Sequence, residues 1–323
     1  MTPHFRTLRQ TAMTVAAGML AVAGANTAAA ATMGPQIAAQ TYSLRAFGTL
    51  EEQMRIIKDA GVDYVEAYGG LGAASDARAV LDAAGLTAIS DHVGLADLRA
   101  DAANGLASVI ARQRTLGNDT IVMPYLVPDD RPADAAGWGA LGRELGGYAD
   151  RLAEEGLTFG YHNHDFDLVA VDGSTGYEIA IAAGGPNLKA QVDVGWAERA
   201  GVDPTALLQR LEGKVISIHA KDLADPADPG PTAGGREAFG FDFAAVGEGL
   251  VDWDSVLPAA LDAGAEWFII EHDFPPDPFE VISTGQTYLA ENLPEPAPVP
   301  LPAGLPLLAG GLVGLAFLRR RSR

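Results

Sequence analysis

Between Pro35 and Asn292, short apolar runs alternate with longer stretches in which apolar residues recur every three or four positions. Runs at 36–44, 62–67, 86–92, 120–124, 157–164, 188–194, 215–220 and 267–272 predict buried strands. The amphipathic stretches at 50–60, 75–84, 101–116, 133–155, 175–183, 204–211, 253–263 and 278–291 predict helices. Several joints carry a glycine where a helix should end, as in Asp59-Ala60-Gly61-Val62, Ala83-Ala84-Gly85-Leu86, Glu154-Glu155-Gly156-Leu157 and Ala263-Gly264-Ala265. Glycine takes the left-handed backbone past a helix end without a Cβ clash, so each joint predicts a turn into the next strand. Eight strand–helix units in about 260 residues match the size of a closed barrel, typically roughly 250 residues. A doubly wound sheet would want a glycine-rich phosphate loop after its first strand, and none follows Tyr42. The expected fold is therefore α/β, a single (β/α)8 barrel over 34–292.

The two ends have a different composition. Arg6 and Arg9 precede an apolar stretch from Thr11 to Ala25, and small residues run through Ala28-Ala29-Ala30-Ala31. Residues 1–31 read as an export signal, with an apolar stretch too short to span a membrane comfortably. Pro294 to Pro302 reads as a stiff extended spacer, and 293–304 as a linker. Leu305 to Leu318 is apolar, and Arg319, Arg320, Arg321 and Arg323 close the chain, so 305–323 reads as a stop-transfer segment. Val299-Pro300-Leu301-Pro302-Ala303-Gly304 with that tail resembles the VPLPA-type sorting signals of Gram-negative bacteria. That resemblance implies a sorting protease, transient membrane contact, and a body exposed in the periplasm or at the cell surface.

Charge and cysteine usage narrow the partners. The formal net charge is −20, which disfavours phosphate backbones, so nucleic acid is not an expected partner. There are no cysteines, so a metal would have to be held by His, Asp and Glu.

Barrel enzymes carry their active residues at the carboxyl ends of the strands. Here those ends read Tyr161-His162-Asn163-His164-Asp165, Gln191-Val192-Asp193-Val194-Gly195-Trp196, His219-Ala220-Lys221-Asp222 and Glu271-His272-Asp273. One histidine at a strand end is ordinarily a cap or a surface group, and one aspartate there is ordinarily a helix N-cap. Four successive strands ending this way would bring two imidazoles and two carboxylates together at one mouth. Such a set suits a single divalent ion such as Mn²⁺, Co²⁺, Zn²⁺, Mg²⁺, Fe²⁺ or Ni²⁺. Alternation along a strand points His162 and His164 to the same side. Arg45, Glu66, His92 and Trp196 are the candidate substrate contacts. The Asp-, Pro- and Gly-rich segment 223–249 is expected to form a rim over the mouth.

These strand ends, together with Val246-Gly247-Glu248-Gly249-Leu250-Val251-Asp252-Trp253, resemble the xylose-isomerase-like barrel superfamily in its sugar phosphate isomerase/epimerase-like branch. The resemblance implies one metal ligand from each of strands five to eight: His162, Asp193, His219 and Glu271. It also exposes two departures. A glutamate usually stands where this chain has His162, and a histidine often follows Asp-x-Gly where this chain has Trp196. Only Glu271 remains of the glutamate pair that moves protons in the epimerases, and His164 is the substitute base, since imidazole titrates near neutrality.

A divalent ion on adjacent oxygens of a sugar would polarise the carbonyl and acidify the neighbouring C–H. His164 or Glu271 would take that proton, and Lys221 would steady developing negative charge unless it merely pairs with Asp222. Returning the proton elsewhere makes an isomerase or epimerase acting on a sugar or keto-sugar. Losing a β-substituent makes a lyase or dehydratase acting on 3-keto-glycosides or inososes. A carbohydrate-binding surface protein without turnover is the third reading.

Overall fold

The structure is a computed structural model that describes residues 35–294. The expected leader (1–31) and apolar tail (305–323), with nearly all of the proline-rich spacer, lie outside the described residues. Among the described residues no helix is long and apolar enough to cross a membrane.

Eight strands close a parallel barrel. They are β1 (Gln36–Gln40), β2 (Tyr64–Tyr68), β3 (Thr87–His92), β4 (Thr120–Met123), β5 (Thr158–His162), β6 (Leu188–Asp193), β7 (Val215–Ala220) and β8 (Trp267–Ile270). Each strand pairs with the next in sequence, and β8 closes on β1 with Ala38 opposite Ile269. Parallel strands are covered on both faces, which is why their sequences read as continuous apolar runs such as Trp267-Phe268-Ile269-Ile270.

The helices between strands start on side-chain caps. Thr49 and Glu52 form a capping box at Leu50–Asp59, Thr175 and Glu178 form one at Gly176–Ala183, and Asp277 caps Pro278–Asn292. Ala135–Ala153 packs unusually close to Gly176–Ala183. A Cβ on Gly142 would lie 2.2 Å from the Ala180 carbonyl oxygen, and one on Gly146 would lie 2.3 Å from that of Gly184. Only glycine permits that approach.

Three local expectations are corrected. The helix expected at 101–116 is two helices, Leu95–Ala102 and Ala107–Leu116. Asn104-Gly105 stops the first, and Leu106 turns left-handed with φ 61°. Asp101 then caps the second helix through the amides of Ser108 and Val109. The first strand ends at Gln40, four residues early, because Thr41–Leu44 coils into a 3-10 turn under the Gln40 side chain. The sixth ends at Asp193, whose side chain caps an unexpected short helix, Val194–Arg199. Each correction lies at an element's end, where short polar side chains compete for backbone groups.

The rim segment has internal order. Asp222–Leu223 pairs antiparallel with Phe243–Ala244, and a short helix spans Arg236–Phe239. Its anchor is Asp222, which accepts the amides of Gly247, Gly249 and Val251 and the Trp253 indole N–H at 2.7–3.2 Å. A Cβ on Gly249 would lie 2.2 Å from Asp222 Oδ1. The His-Ala-Lys-Asp and Gly-Glu-Gly motifs are thus two halves of one loop anchor.

Candidate functional site

The barrel's C-terminal mouth opens into a pocket of about 720 Å³. At its base, His162, Asp193, His219 and Glu271 each place one ligand atom so that all four atoms lie within 4.8 Å of one another. Register explains half of this: Asp193 sits opposite His219 across the β6–β7 pair. His162 ends β5, and Glu271 is the first residue after β8.

Each of the four is held by a partner outside the cluster. His162 Nδ1 faces Gln191 Oε1 at 3.1 Å, and that acceptor puts the proton on Nδ1 and turns Nε2 toward Asp193 Oδ2, 3.8 Å away. Asp193 Oδ1 accepts the Trp196 amide at 2.8 Å. Its Oδ2 is buried and accepts no hydrogen bond, with the Lys221 ammonium 3.3 Å off. His219 Nε2 donates to Glu66 at 2.6 Å, and its Nδ1 faces Glu271 at 2.7 Å. Lys221 Nζ meets Glu271 at 2.9 Å and Asp273 at 3.0 Å. An unbonded buried carboxylate oxygen among two imidazoles and a second carboxylate fits a divalent cation.

The charges of the cluster are set by one another. Burial works against charge on His219, but Glu271 and Glu66 outweigh it and push its pKa up to about 10. Burial raises Glu271, yet Lys221 and His219 hold it well below the usual carboxylate range. Burial lifts Asp193 to about 6 despite Lys221. His162 and His164 both titrate well below the usual imidazole range, His162 through burial and the charge on His219, His164 through burial and Lys221. Both are therefore neutral at pH 7.

The expected substrate contacts divide. His92 and Trp196 line the pocket, as do His164 and Glu271. Glu66 does not: it is fully buried beneath the cluster. It accepts Gln40 at 2.7 Å, Ser90 at 2.5 Å, Gln191 at 2.8 Å and His219 at 2.6 Å, leaving nothing for a substrate. Burial would raise its carboxyl, but His92 and His219 pull it well below the usual range. Its place is that of the carboxylate that fixes a ligand histidine's tautomer. Arg45 lies outside the residues that line the pocket. Its guanidinium donates to the carbonyls of Tyr42 and Asp273 and lies 3.8 Å over the Tyr42 ring, tying the chain after β1 to the chain after β8. Lys221 is 1% exposed and pairs with Asp193, Glu271 and Asp273 rather than Asp222.

Sequence reasoning missed Gln191, Asp273, Phe239 and Phe241. The first two stand two residues before Asp193 and two after Glu271, so strand alternation could have pointed to them.

Two predictions arise here. Glu66→Gln can offer an N–H to His219 Nε2 and so permit the tautomer whose Nδ1 is blocked by hydrogen. Affinity for Mn²⁺ or Zn²⁺ is expected to fall about 10–100-fold by titration calorimetry, and an unchanged affinity would remove Glu66 from this role. Second, His219 is protonated in the metal-free protein. Its raised pKa gives a stability contribution fully present below pH 6.5 and lost as pH rises through about 10. An ion bound at Nδ1 must displace that proton. Between pH 6 and 8 the affinity is expected to rise roughly tenfold per unit, with about one proton released in calorimetry across buffers of different ionisation enthalpy.

A closed (β/α)8 barrel whose C-terminal mouth gathers imidazoles and carboxylates defines the class of protein. The chain belongs to the xylose isomerase-like TIM barrel family, whose model matches residues 54–291. It is similar to the rhizopine catabolism protein MocC of Rhizobium meliloti, 27% identical over 145 residues that cover 43% of this chain and 44% of that protein. The match thus spans less than half of that relative's length. Among solved structures, a sugar phosphate isomerase/epimerase from Parabacteroides distasonis superposes with a TM-score of 0.65 at 18% identity, covering 81% of this chain and 96% of that one. The IolI protein with a bound zinc atom superposes at 0.61 with 15% identity, covering 79% and 97%. At these identities the solved structures establish a shared fold.

Proposed function

We propose that the protein is a divalent-metal-dependent isomerase or epimerase that moves a proton next to the carbonyl of a sugar or keto-sugar. The observation that carries this reading is the cluster of His162, Asp193, His219 and Glu271, with the Asp193 Oδ2 atom buried and unbonded. The names of the structural neighbours, a sugar phosphate isomerase/epimerase and a zinc-binding barrel, are consistent with it. A bound divalent ion would polarise the substrate carbonyl and acidify the adjacent C–H.

The chain's own residues do the rest. His164 lies on the pocket wall with its ring 5.0 Å from that of His162. Burial and the Lys221 charge hold its pKa well below the usual imidazole range, so the ring is in the neutral form that a general base requires. Glu271, paired with Lys221 and His219, is the second candidate acceptor. Lys221 fixes Asp193, Glu271 and Asp273 in place and offsets their mutual repulsion. Trp196 and His92 complete the wall that the sugar would contact.

Solvent deuterium tests the reaction. Incubating the protein with a panel of keto-sugars, Mn²⁺ and D₂O should place deuterium in unconsumed sugar at the carbon next to the carbonyl. An unsaturated ketone with a released substituent would instead show β-elimination from the same proton abstraction. No exchange and no product across the panel would refute both.

The export reading of the two chain ends is part of the same proposal. β1 starts at the barrel's N-terminal face and Pro278–Asn292 runs back toward it. Both ends of the described chain therefore leave on the side away from the pocket.

A further inference from the structure

The pocket exceeds what one sugar ring would fill. Its volume of about 720 Å³ falls in the range of sites for drug-sized ligands, roughly 300–1,000 Å³. Beyond His164 its lining changes from polar to aromatic. The Trp196 ring lies 5.2 Å from that of His164, and Phe239 and Phe241 follow at 5.5 and 5.8 Å from Trp196. Phe239 and Phe241 lie 5.7 Å apart with an interplanar angle of 29°, and Phe274 lies 5.5 Å from Phe239.

Trp196 forms the buried inner end of this row at 4% exposed, and the rim carries the row outward to the surface. Phe243, two residues after Phe241, is fully buried and pairs the rim into its ribbon, while Phe239 and Phe274 stay 38% and 41% exposed. Two exposed rings, Phe239 and Phe274, at the end of an aromatic row that runs down into the pocket mark a binding surface on a protein of net charge −20. The cluster is continuous with the pocket that holds the proposed reacting centre, so its occupant is part of the same ligand. A second sugar would need partners for its hydroxyls, and phenylalanine rings supply none. Arg199 lies 4.7 Å over the Phe241 ring and also lines the pocket, which adds attraction for an electron-rich ring.

We infer that Trp196, Phe239 and Phe241 form a second subsite for a planar, electron-rich aromatic group joined to the sugar, so that the ligand is an aryl glycoside. This rests on the sugar-binding reading proposed above, but its rings do not involve the metal cluster.

The test is calorimetric binding to the full-length protein, with and without Mn²⁺, of 4-methoxyphenyl and methyl glycosides of glucose, galactose and xylose, beside cellobiose and 4-methoxyphenol. For at least one sugar, the aryl glycoside should bind about tenfold more tightly than the methyl glycoside. That ratio should fall to within about twofold in Phe239→Ala/Phe241→Ala, both near-surface positions. The preference should survive metal removal, so loss of the metal-dependent reaction alone would leave it standing. A ratio near one in the parent, cellobiose binding as tightly as the aryl glucoside, or no binding by any aryl probe would each overturn the subsite.

Discussion

Replacing His164 by Asn is expected to cut turnover about 10²–10⁴-fold while the protein keeps its bound metal. The two histidines at the end of β5 are separated by one residue and face the same pocket, yet their surroundings differ. His162 is turned toward Asp193 by Gln191 and lies within the four-residue cluster. His164 lies outside that cluster, stacked at 9° on Phe166 with its ring 5.3 Å away. Burial and the neighbouring Lys221 charge keep it neutral, so the protonated form that could not act as a base is absent at pH 7. His162→Ala should show the opposite pattern. Losing an outer partner of a metal ligand costs 10–100-fold in affinity, so losing the ligand itself should cost more than about 100-fold. Metal content and single-turnover rates of the two variants check this. If His164→Asn loses the ion and His162→Ala keeps it, the roles are exchanged.

Lys221→Met is expected to destabilise the metal-free protein by about 3–5 kcal/mol, since it leaves buried carboxylates without their cation. Lys221 is 1% exposed and lies within 3.3 Å of Asp193, Glu271 and Asp273. Three carboxylates so close cannot all stay ionised without it, so protons must enter the site or the fold must loosen. The melting temperature should fall on the order of 10 °C. Saturating Mn²⁺ or Zn²⁺ should recover part of that loss, because the ion restores positive charge among the same oxygens. A drop under about 1 kcal/mol, or no recovery with metal, would contradict a shared role for the ammonium and the ion.

The barrel could be read from the chain because its signals are local and repeated. Eight apolar runs, each followed by an amphipathic stretch, leave few alternatives in a chain of this length. The grouping of His162, Asp193, His219 and Glu271 could be read for a related reason: a closed barrel brings all strand ends to one mouth. What lies beneath that mouth could not. Glu66 ends an apolar run just as a substrate contact would, and only the closed barrel shows it under His219 among Gln40, Ser90 and Gln191. The partners of Lys221 were hidden likewise. Its neighbour in sequence, Asp222, is turned away to the Gly247–Val251 amides, while its true partners lie on β6 and after β8. The rings of the proposed aromatic subsite sit on two helices of six and four residues and the chain beside them, too short for periodicity to show which rings face inward.

The central claim is that this mouth holds a divalent ion, and the metal content of the purified protein beside its Asp193→Ala and His219→Ala variants tests it most directly. About one tightly held divalent ion per chain, lost in both variants and kept in His164→Asn, is the expected result. No ion in the parent protein after incubation with Mn²⁺, Co²⁺ or Zn²⁺, or an ion retained by both variants, would contradict it.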